Sequence, residues 1–96
     1  MARQGLSVLD PTPEQRNQLR LGPGAGVLVE DAQGSAARAG VRRGDLIVAI
    51  NNVEIKSADQ FNTLITQFER GRNVALLVRR GDNSIYVPLR IEPNGG

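Results

Sequence analysis

The side chains that most often carry out catalysis are absent from this sequence. None of its 96 residues is cysteine or histidine. Without a thiol there is no disulfide framework, no cysteine nucleophile and no cysteine-ligated zinc. Without an imidazole the chain cannot by itself assemble a Ser-His-Asp triad or use a histidine general base. The sequence therefore favours a non-catalytic domain, and we predict no catalytic residues.

The carboxylates and glycines give no sign of a metal or nucleotide site. Asp10, Glu30, Asp31 and Asp45 fall on separate turns, without the spacing of a metal-binding loop. The glycine-rich stretch 22–26 lacks the Gly-Lys-Ser/Thr that a phosphate-binding loop carries, and a strand is expected after it where such a loop needs a helix. We therefore predict no metal and no cofactor.

The basic residues are nearly all arginine. Lysine and arginine number 12 against 10 acidic residues, and Lys56 is the single lysine. Arginine pairs such as 42–43 and 79–80 could face nucleic acid, but Tyr86 is the one ring that we expect to be exposed for stacking, so we predict no nucleic acid partner. No apolar run approaches the length of about 20 residues that spans a membrane. The opening Met-Ala-Arg-Gln shows no signal-peptide core.

Hydrophobic patterns predict six short strands, and capping patterns predict three helices. The strands are expected at 5–9, 26–29, 46–50, 53–55, 74–78 and 85–91, and the helices at 13–20, 35–40 and 58–70. Thr12 and Gln15 form a capping box before a helix with Pro13 at its first position. Ser57 and Gln60 repeat the pattern before the longest helix.

Other residues predict how these elements end and face. Ser35 is expected to cap the second helix, and Gly40 to end it in a left-handed conformation. Pro88 cannot donate a ladder hydrogen bond, so its strand should lie at a sheet edge or face outward there. The residues of the longest helix that should face the core are Phe61, Leu64 and Phe68, with Ile65 at the border.

Residues 35–52 read Ser-Ala-Ala-Arg-Ala-Gly-Val-Arg-Arg-Gly-Asp-Leu-Ile-Val-Ala-Ile-Asn-Asn and closely resemble the signature of the PDZ domain family. The spacing has a physical reason, because Gly40 ends a small helix, Gly44 permits a turn, and Asp45 can accept hydrogen bonds from turn amides. The whole order of elements is similar to the permuted PDZ modules of the bacterial high-temperature-requirement (HtrA/Deg) serine proteases, and best matches their second, C-terminal copy.

That resemblance implies an α+β domain, a partly open β-barrel of five to six short strands capped by two helices. The domain would occupy residues 4–91, with residues 1–3 as a linker and 92–96 as a flexible tail. The resemblance also implies a periplasmic location.

The resemblance implies a peptide-binding groove as well. A peptide would add as a strand beside residues 6–9, its end held by the preceding loop, with the longest helix as the other wall. The implied peptide-binding residues are Gln4, Gly5, Leu6, Ser7, Val8, Leu9, Ala58, Asn62, Ile65 and Thr66. Polar Arg3 and Gln4 stand where the family usually has an aromatic and an apolar residue, so the pocket for a terminal residue would lack its usual apolar wall.

The implied function is capture of extended or C-terminal hydrophobic segments of peptides or unfolded proteins. Capture would serve substrate tethering or regulation in a protein quality-control protease, whose other domains would be further partners and would carry the protease chemistry. An alternative is a structural module that mediates PDZ–PDZ contacts and oligomer assembly. A PDZ module of another membrane-associated protease or of a secretion component also stays open.

Overall fold

The computed structural model describes residues 4–20 and 26–92. Three stretches lie outside the described residues: the predicted linker 1–3 with Arg3, residues 21–25, and residues 93–96 of the predicted tail. The strands are β1 (Leu6–Leu9), β2 (Val27–Ala32), β3 (Leu46–Ile50), β4 (Val53–Glu54), β5 (Asn73–Arg80) and β6 (Asn83–Arg90). The helices are α1 (Pro13–Gln18), α2 (Gly34–Ala39) and α3 (Ala58–Ile65). None of these helices is long and apolar enough to cross a membrane.

The six strands of the described chain form one antiparallel sheet. The order is β1-β2-β3-β5-β6, and β4 pairs with β3 outside this path. Irregular register between Ser7 and Val8 in β1, and between Ile47 and Ala49 in β3, lets the sheet bend around its core. The predicted α+β class with its open sheet is confirmed, and the described residues hold the three helices that the capping patterns predicted.

The core contains side chains from every strand except β4, and helix α3 covers it. Its fully buried members include Leu6, Val27, Ile47, Ile50, Phe61, Leu76 and Leu89. The prediction for the stripe of α3 is confirmed, because Phe61 is buried and Leu64 and Phe68 pack against the same core. The expectation that Ile65 lies at the border of this stripe was wrong, because Ile65 is buried in the core with 1% of its surface exposed. Replacing Phe61 by alanine would therefore cost about 3–5 kcal/mol of stability.

The longest helix is shorter than predicted. The sequence pattern suggested that it would run to Arg70, but α3 ends at Ile65. The Thr66 hydroxyl donates to the Thr63 carbonyl (2.8 Å), and the Gln67 N–H donates to the Leu64 carbonyl (3.0 Å). Each of these bonds joins a residue to the one three positions before it, as in a turn, and not four positions before it, as in an α-helix. The α-helix therefore ends here, although the apolar spacing continues to Phe68.

Of the three caps predicted for the two short helices, two are confirmed and one is wrong. The reciprocal capping box of Thr12 and Gln15 before α1 is confirmed, with bonds of 3.1 and 2.8 Å. Gly40 ends α2 with a φ of 104°, as expected. The prediction for Ser35 was wrong, because it lies inside α2 and donates its hydroxyl to the Arg90 carbonyl (2.7 Å). A tertiary acceptor on β6 thus takes the hydroxyl that the local pattern assigned to a cap.

Pro88 lies on β6, one of the two strands that end the main path of the sheet. It lies opposite Ala75 in the β5–β6 register. Both backbone groups of Ala75 bond Asn51, on the β3 side, at 2.8 Å. Since antiparallel strands alternate bonded and non-bonded pairs, the nitrogen of Pro88 faces the outer rim of β6. The edge prediction is confirmed, and the missing N–H makes this rim a poor template for another strand.

Asp45 holds together the turn that carries the family signature. The residue is 2% exposed, and its carboxylate accepts bonds from the Arg42 N–H (2.8 Å) and from the Arg80 guanidinium (2.8 and 2.6 Å). Arg80 also donates to the Gly40 carbonyl (2.9 Å). Burial alone would raise the pKa of Asp45, but the hydrogen bonds from Arg80 and Arg42, together with their positive charges, hold this pKa below its ordinary value. The carboxylate form is therefore favoured by folding.

The stability of the domain should therefore depend on the charge of Asp45. A carboxyl whose pKa is lower in the folded state contributes stability above its unfolded pKa of about 3.9, and this contribution is lost as the pH falls through the folded pKa. We expect Asp45→Asn to be less stable than the wild type at pH 7, and the difference to shrink below about pH 4. Urea unfolding from pH 7 to pH 2 measures it.

Asp82→Asn is the matched control, since Asp82 lies exposed in the β5–β6 turn. Its unfolding curve should stay close to that of the wild type throughout. A stability difference for Asp45→Asn that stays constant down to pH 2 would contradict the assigned role.

Candidate functional site

The backbone of β1 is paired on one side only, and the register shows which residues face the other side. Among the described strands β1 pairs with β2 alone. Leu6 lies opposite Ala32, whose N–H bonds the Asp31 carboxylate (3.0 Å), while the adjacent bond joins the Gln33 N–H to the Gly5 carbonyl (2.9 Å). Because bonded and non-bonded pairs alternate, the N–H and C=O of Leu6 point away from β2.

Val8 faces the same rim as Leu6. It lies opposite Val29. The Val29 N–H donates to the Asp45 carbonyl (2.8 Å), and the Val29 carbonyl accepts from the Gly44 N–H (2.9 Å). Val29 therefore bonds away from β1, so the pair is again a non-bonded one. The outer rim of β1 thus presents an N–H and a C=O from each of Leu6 and Val8, and unlike the rim of β6 it contains no proline.

The loop before β1 is clamped by its own side chain. The Gln4 amide donates to the Glu92 carbonyl (3.2 Å) and accepts from the Glu92 N–H (2.8 Å). Gln4 and Gly5 both have positive φ, 57° and 80°. A Cβ on Gly5 would lie 1.9 Å from the Gln33 carbonyl oxygen, so glycine is required there. The clamp fixes a left-handed turn that leads directly into Leu6.

The other end of β1 is tied to α3. The Asp10 carboxylate, one residue after the strand, accepts a bond from the Ala58 N–H (2.7 Å) at the first residue of the helix. Ser57 caps the same helix as predicted, by accepting from the Gln60 N–H (3.0 Å). The reciprocal half of the predicted capping box does not form, because the Gln60 side chain bonds Lys56 and Glu54 and not Ser57. An acidic group at a helix N-terminus is favourable electrostatically as well. The end of the strand and the start of the helix therefore stay together.

Helix α3 presents two different flanks. Gln60 bonds the Glu54 carbonyl (2.9 Å) and the Lys56 N–H (2.5 Å), which places its flank against β4. An apolar cleft lies on that flank, lined by Val53, Asp59, Gln60, Thr63, Leu64 and Gln67. With about 100° of rotation per residue, Asn62 and Thr66 lie within about 80° of Ala58, whose N–H bonds Asp10 at the end of β1.

The predicted site residues fall into three groups. Gln4 through Leu9 form the clamped loop and the rim strand, and Leu6 is buried while Leu9 is half exposed. Ala58, Asn62 and the C-cap residue Thr66 lie on one side of α3, which we call its β1 flank because Ala58 bonds Asp10 at the end of β1. Ile65 is buried with the core, so any ligand that touches it must reach the core wall itself. Peptide contact by these residues stays a prediction.

Sequence reasoning missed the residues that hold the site in place. It considered Gln4 as part of a pocket wall, whereas the side chain bonds Glu92. It gave Asp10 no role beyond ending the strand. The partners are 88 and 48 residues away in the chain, and no local pattern signals a bond over such a separation.

The comparisons with known proteins agree with this geometry. A family model described as PDZ domain matches residues 26–80. The chain belongs to the PDZ domain family. Among solved structures it is similar to the HtrA-type protease AlgW with decapeptide, with a TM-score of 0.80 and 26% identity over 95% of this chain and 29% of that one. The HtrA3 PDZ domain bound to a phage-derived ligand shares the fold, with a TM-score of 0.74 at 20% identity over 90% and 80% of the two chains.

Curated relatives point to the same group of proteases. The chain is 36% identical to the probable periplasmic serine endoprotease DegP-like of Halomonas elongata, over 94% of this chain and 19% of that protein. It is also 36% identical to the DegP-like protein of Pseudomonas putida, over 93% and 18%. The chain thus spans about a fifth of the length of these relatives. The resemblance to the PDZ modules of HtrA/Deg proteases is confirmed.

The Gln4 clamp can be tested by changing one atom of its amide. In Gln4→Glu an oxygen replaces the donor nitrogen that faces the Glu92 carbonyl, while chain length and backbone preference are nearly kept. We expect a loss of about 1–2 kcal/mol in the free energy of unfolding, since one bond is lost and two acceptors meet. Urea denaturation measures it.

Gln67→Glu is the matched control, because Gln67 is exposed beyond α3. That variant should change stability by less than about 0.5 kcal/mol. Equal effects of the two substitutions would show that the bonds of Gln4 to Glu92 contribute nothing.

Proposed function

We propose that this domain binds an extended peptide segment by adding it as a strand to the outer rim of β1, in the space next to α3. The single observation that carries the proposal is the direction of the Leu6 and Val8 backbone groups, which face away from β2. A guest strand would satisfy these groups, while its alternate side chains face the β1 flank of α3. The peptide-bound state named for AlgW supports the same use of the fold.

The expected affinity is modest. Each backbone bond contributes about 0.5–1.5 kcal/mol net, and one buried apolar side chain about 1.5–3 kcal/mol. Association costs at least about 4 kcal/mol. Four rim groups and one or two buried side chains therefore give binding of micromolar strength or weaker, near −8 kcal/mol or smaller in magnitude. Such binding suits repeated capture and release of a segment.

The loop before β1 bears on which end of a peptide is bound. Its two consecutive left-handed residues, Gln4 and Gly5, turn the backbone into Leu6, whose N–H faces the rim. An N–H in that position can donate to a peptide carboxylate, and a charged acceptor makes a stronger bond than a neutral one. We propose that C-terminal segments bind more tightly than internal ones, without a strict requirement for a free carboxylate.

The similarity to DegP-like proteins suggests the setting of this domain. We propose that it is a non-catalytic module of a periplasmic serine endoprotease of this kind, and that it corresponds to the second PDZ copy. Its partners would be segments of peptides or unfolded proteins and the other domains of that protease. Residues 4–91 would form the domain, with flanking residues as linker and tail.

A titration followed by NMR tests the binding mode. The probe is an octapeptide that begins with Lys-Lys for solubility and ends in four valines, in free-carboxyl and amidated forms. We expect shifts along Leu6–Leu9 and on the β1 flank of α3, and weaker binding of the amidated form. Chemical shift changes confined to the β4 flank of α3, or no changes at all, would contradict the proposal. Equal binding of the two forms would remove only the C-terminal preference.

A variant of the rim separates the backbone contribution from the fold. Val8→Pro deletes one N–H that faces the outer rim and leaves the bonds to β2 in place, as Pro88 does on β6. We expect peptide affinity to fall at least about tenfold, because the bond is lost and the ring blocks the guest strand. Calorimetric titration measures affinity, and circular dichroism checks that the sheet persists.

Ser7→Pro is the contrasting substitution. Ser7 lies between the two rim residues and faces β2, so its proline should destabilise the sheet itself. A folded Val8→Pro protein that binds the octapeptide as tightly as the wild type would contradict addition of a strand at this rim.

A further inference from the structure

A concave pocket of about 340 Å³ lies between helix α2 and the end of strand β6. Its walls include two arginines, Arg38 on α2 and Arg90 on β6, together with Asn73 at the start of β5 and Glu92 just after β6. None of the described residues that line it belongs to the rim of β1 or to the β1 flank of α3. The pocket is therefore separate from the proposed peptide site.

The two guanidinium groups of this pocket have more donors than the described chain has acceptors for them. Arg38 makes one contact, 3.4 Å from its Nη2 to Oε1 of Glu92, and its side chain is 69% exposed. The Arg90 guanidinium makes no hydrogen bond or ion pair with any described residue. Since each guanidinium has five N–H donors, the pocket suits a ligand that is rich in acceptors.

Further positive charge gathers next to Arg90. A Cβ on Gly71 would lie 3.8 Å from Nη2 of Arg90, so this guanidinium lies beside the loop that carries Arg70 and Arg72. The loop is fixed there, because the Gly71 N–H donates to the Ile91 carbonyl (2.7 Å) and the Ile91 N–H donates to the Arg72 carbonyl (2.8 Å). Clustered like charges repel one another, and a bound anion would relieve that repulsion.

The walls of the pocket are held in place by bonds that leave its guanidinium groups free. The Ser35 hydroxyl donates to the Arg90 carbonyl (2.7 Å), which fixes α2 to β6. The Gln4 amide bonds both backbone groups of Glu92. Asn73 lies opposite Arg90 in a non-bonded pair of the β5–β6 register, where side chains are closest. Groups on such a fixed backbone bind a ligand at lower entropic cost.

We propose that this pocket binds a phosphate group, free or as a monoester, between Arg38 and Arg90. A guanidinium pairs with phosphate through two parallel hydrogen bonds, so two of them on opposite walls can bond four times. A phosphate dianion has the charge and the acceptors for both, whereas one carboxylate satisfies a single fork. The pocket volume is in the range of small-molecule sites.

The ligand has one competitor among the described residues that line the pocket, the Glu92 carboxylate. Its contact with Arg38 is long and exposed to solvent. Such a pair contributes little to stability, so the carboxylate can turn away when a phosphate enters. Removal of its charge should therefore favour the ligand.

A titration with sodium phosphate tests the site, followed by NMR against sodium chloride of equal ionic strength. At about pH 7.5 a phosphate monoester is largely a dianion. We expect saturable chemical shift changes at the Asn73 and Ser35 amides and at the Nε–H groups of Arg38 and Arg90. Half-saturation should lie on the order of 1 mM and rise with added salt. Shift changes that do not saturate, or that sodium chloride reproduces, would overturn the proposal.

Substitutions in the pocket should change this affinity in opposite directions. Arg90→Gln and Arg38→Gln each remove one fork, and each should weaken phosphate binding about tenfold. Glu92→Gln removes the competing charge and should tighten binding roughly 2- to 5-fold. The amide spectrum of each variant checks that it is folded, and the two arginine variants serve as independent readouts of the same site.

Arg79→Gln is the matched control, because it changes the net charge by the same amount. Arg79 lies on β5 six positions from Asn73, the partner of Arg90, which puts it about 20 Å along the strand from the pocket. The control should bind phosphate as the wild type does. Equal losses in Arg79→Gln and Arg90→Gln would show a general effect of charge and would overturn the site.

Vesicles distinguish a soluble phosphate from a lipid headgroup. Sedimentation with vesicles that contain phosphatidic acid, a phosphate monoester, is compared with sedimentation with phosphatidylcholine vesicles. Phosphate binding without sedimentation supports a soluble ligand, and sedimentation that Arg90→Gln abolishes and Arg79→Gln preserves supports a headgroup. Peptide binding at β1 is measured in the same variants and should be unchanged, so failure of the phosphate site leaves the proposed function intact.

Discussion

The direction in which the backbone groups of β1 point is the constraint from which the rest of the site follows. In an antiparallel pair the bonded groups alternate, so a strand with one neighbour must leave every second residue open on its other side. Here those residues are Leu6 and Val8, whose side chains also turn inwards. A guest segment beside this rim would therefore meet the open backbone groups of β1.

The main path of the sheet ends in two edge strands, β1 and β6, and they differ. The rim of β6 carries Pro88, which lacks a donor at the position that faces outward. The rim of β1 has neither a proline nor a charged residue among its four positions. Unprotected edges promote unwanted association with other chains. The shortness of β1, which has four residues, limits such pairing. The difference between the edges is what would be expected if one of them binds ligands.

Three separate tethers keep that edge in a fixed shape. Gln4 is bonded to Glu92 at the start of β1, Gly5 to Gln33 beside it, and Asp10 to the helix N-terminus at the end. None of them needs to touch a ligand in order to matter. Two of these tethers hold the start of β1, and the third joins its end to α3. Groups that are pre-organised in this way bind at lower entropic cost than mobile ones.

The sequence by itself determined the elements, the fold class and the family, because those depend on local patterns. Caps at Thr12 and Ser57, the turn around Gly40 and Asp45, and the proline at an edge could all be predicted from neighbours within a few residues. Only the tertiary structure decided which atoms hold the site. Ser35 bonds Arg90 across the fold, Gln4 bonds Glu92, and α3 stops where a local turn replaces its helical bonds. Such contacts join residues far apart in the chain, or balance nearly equal local alternatives, and hydrophobic periodicity carries no information about either.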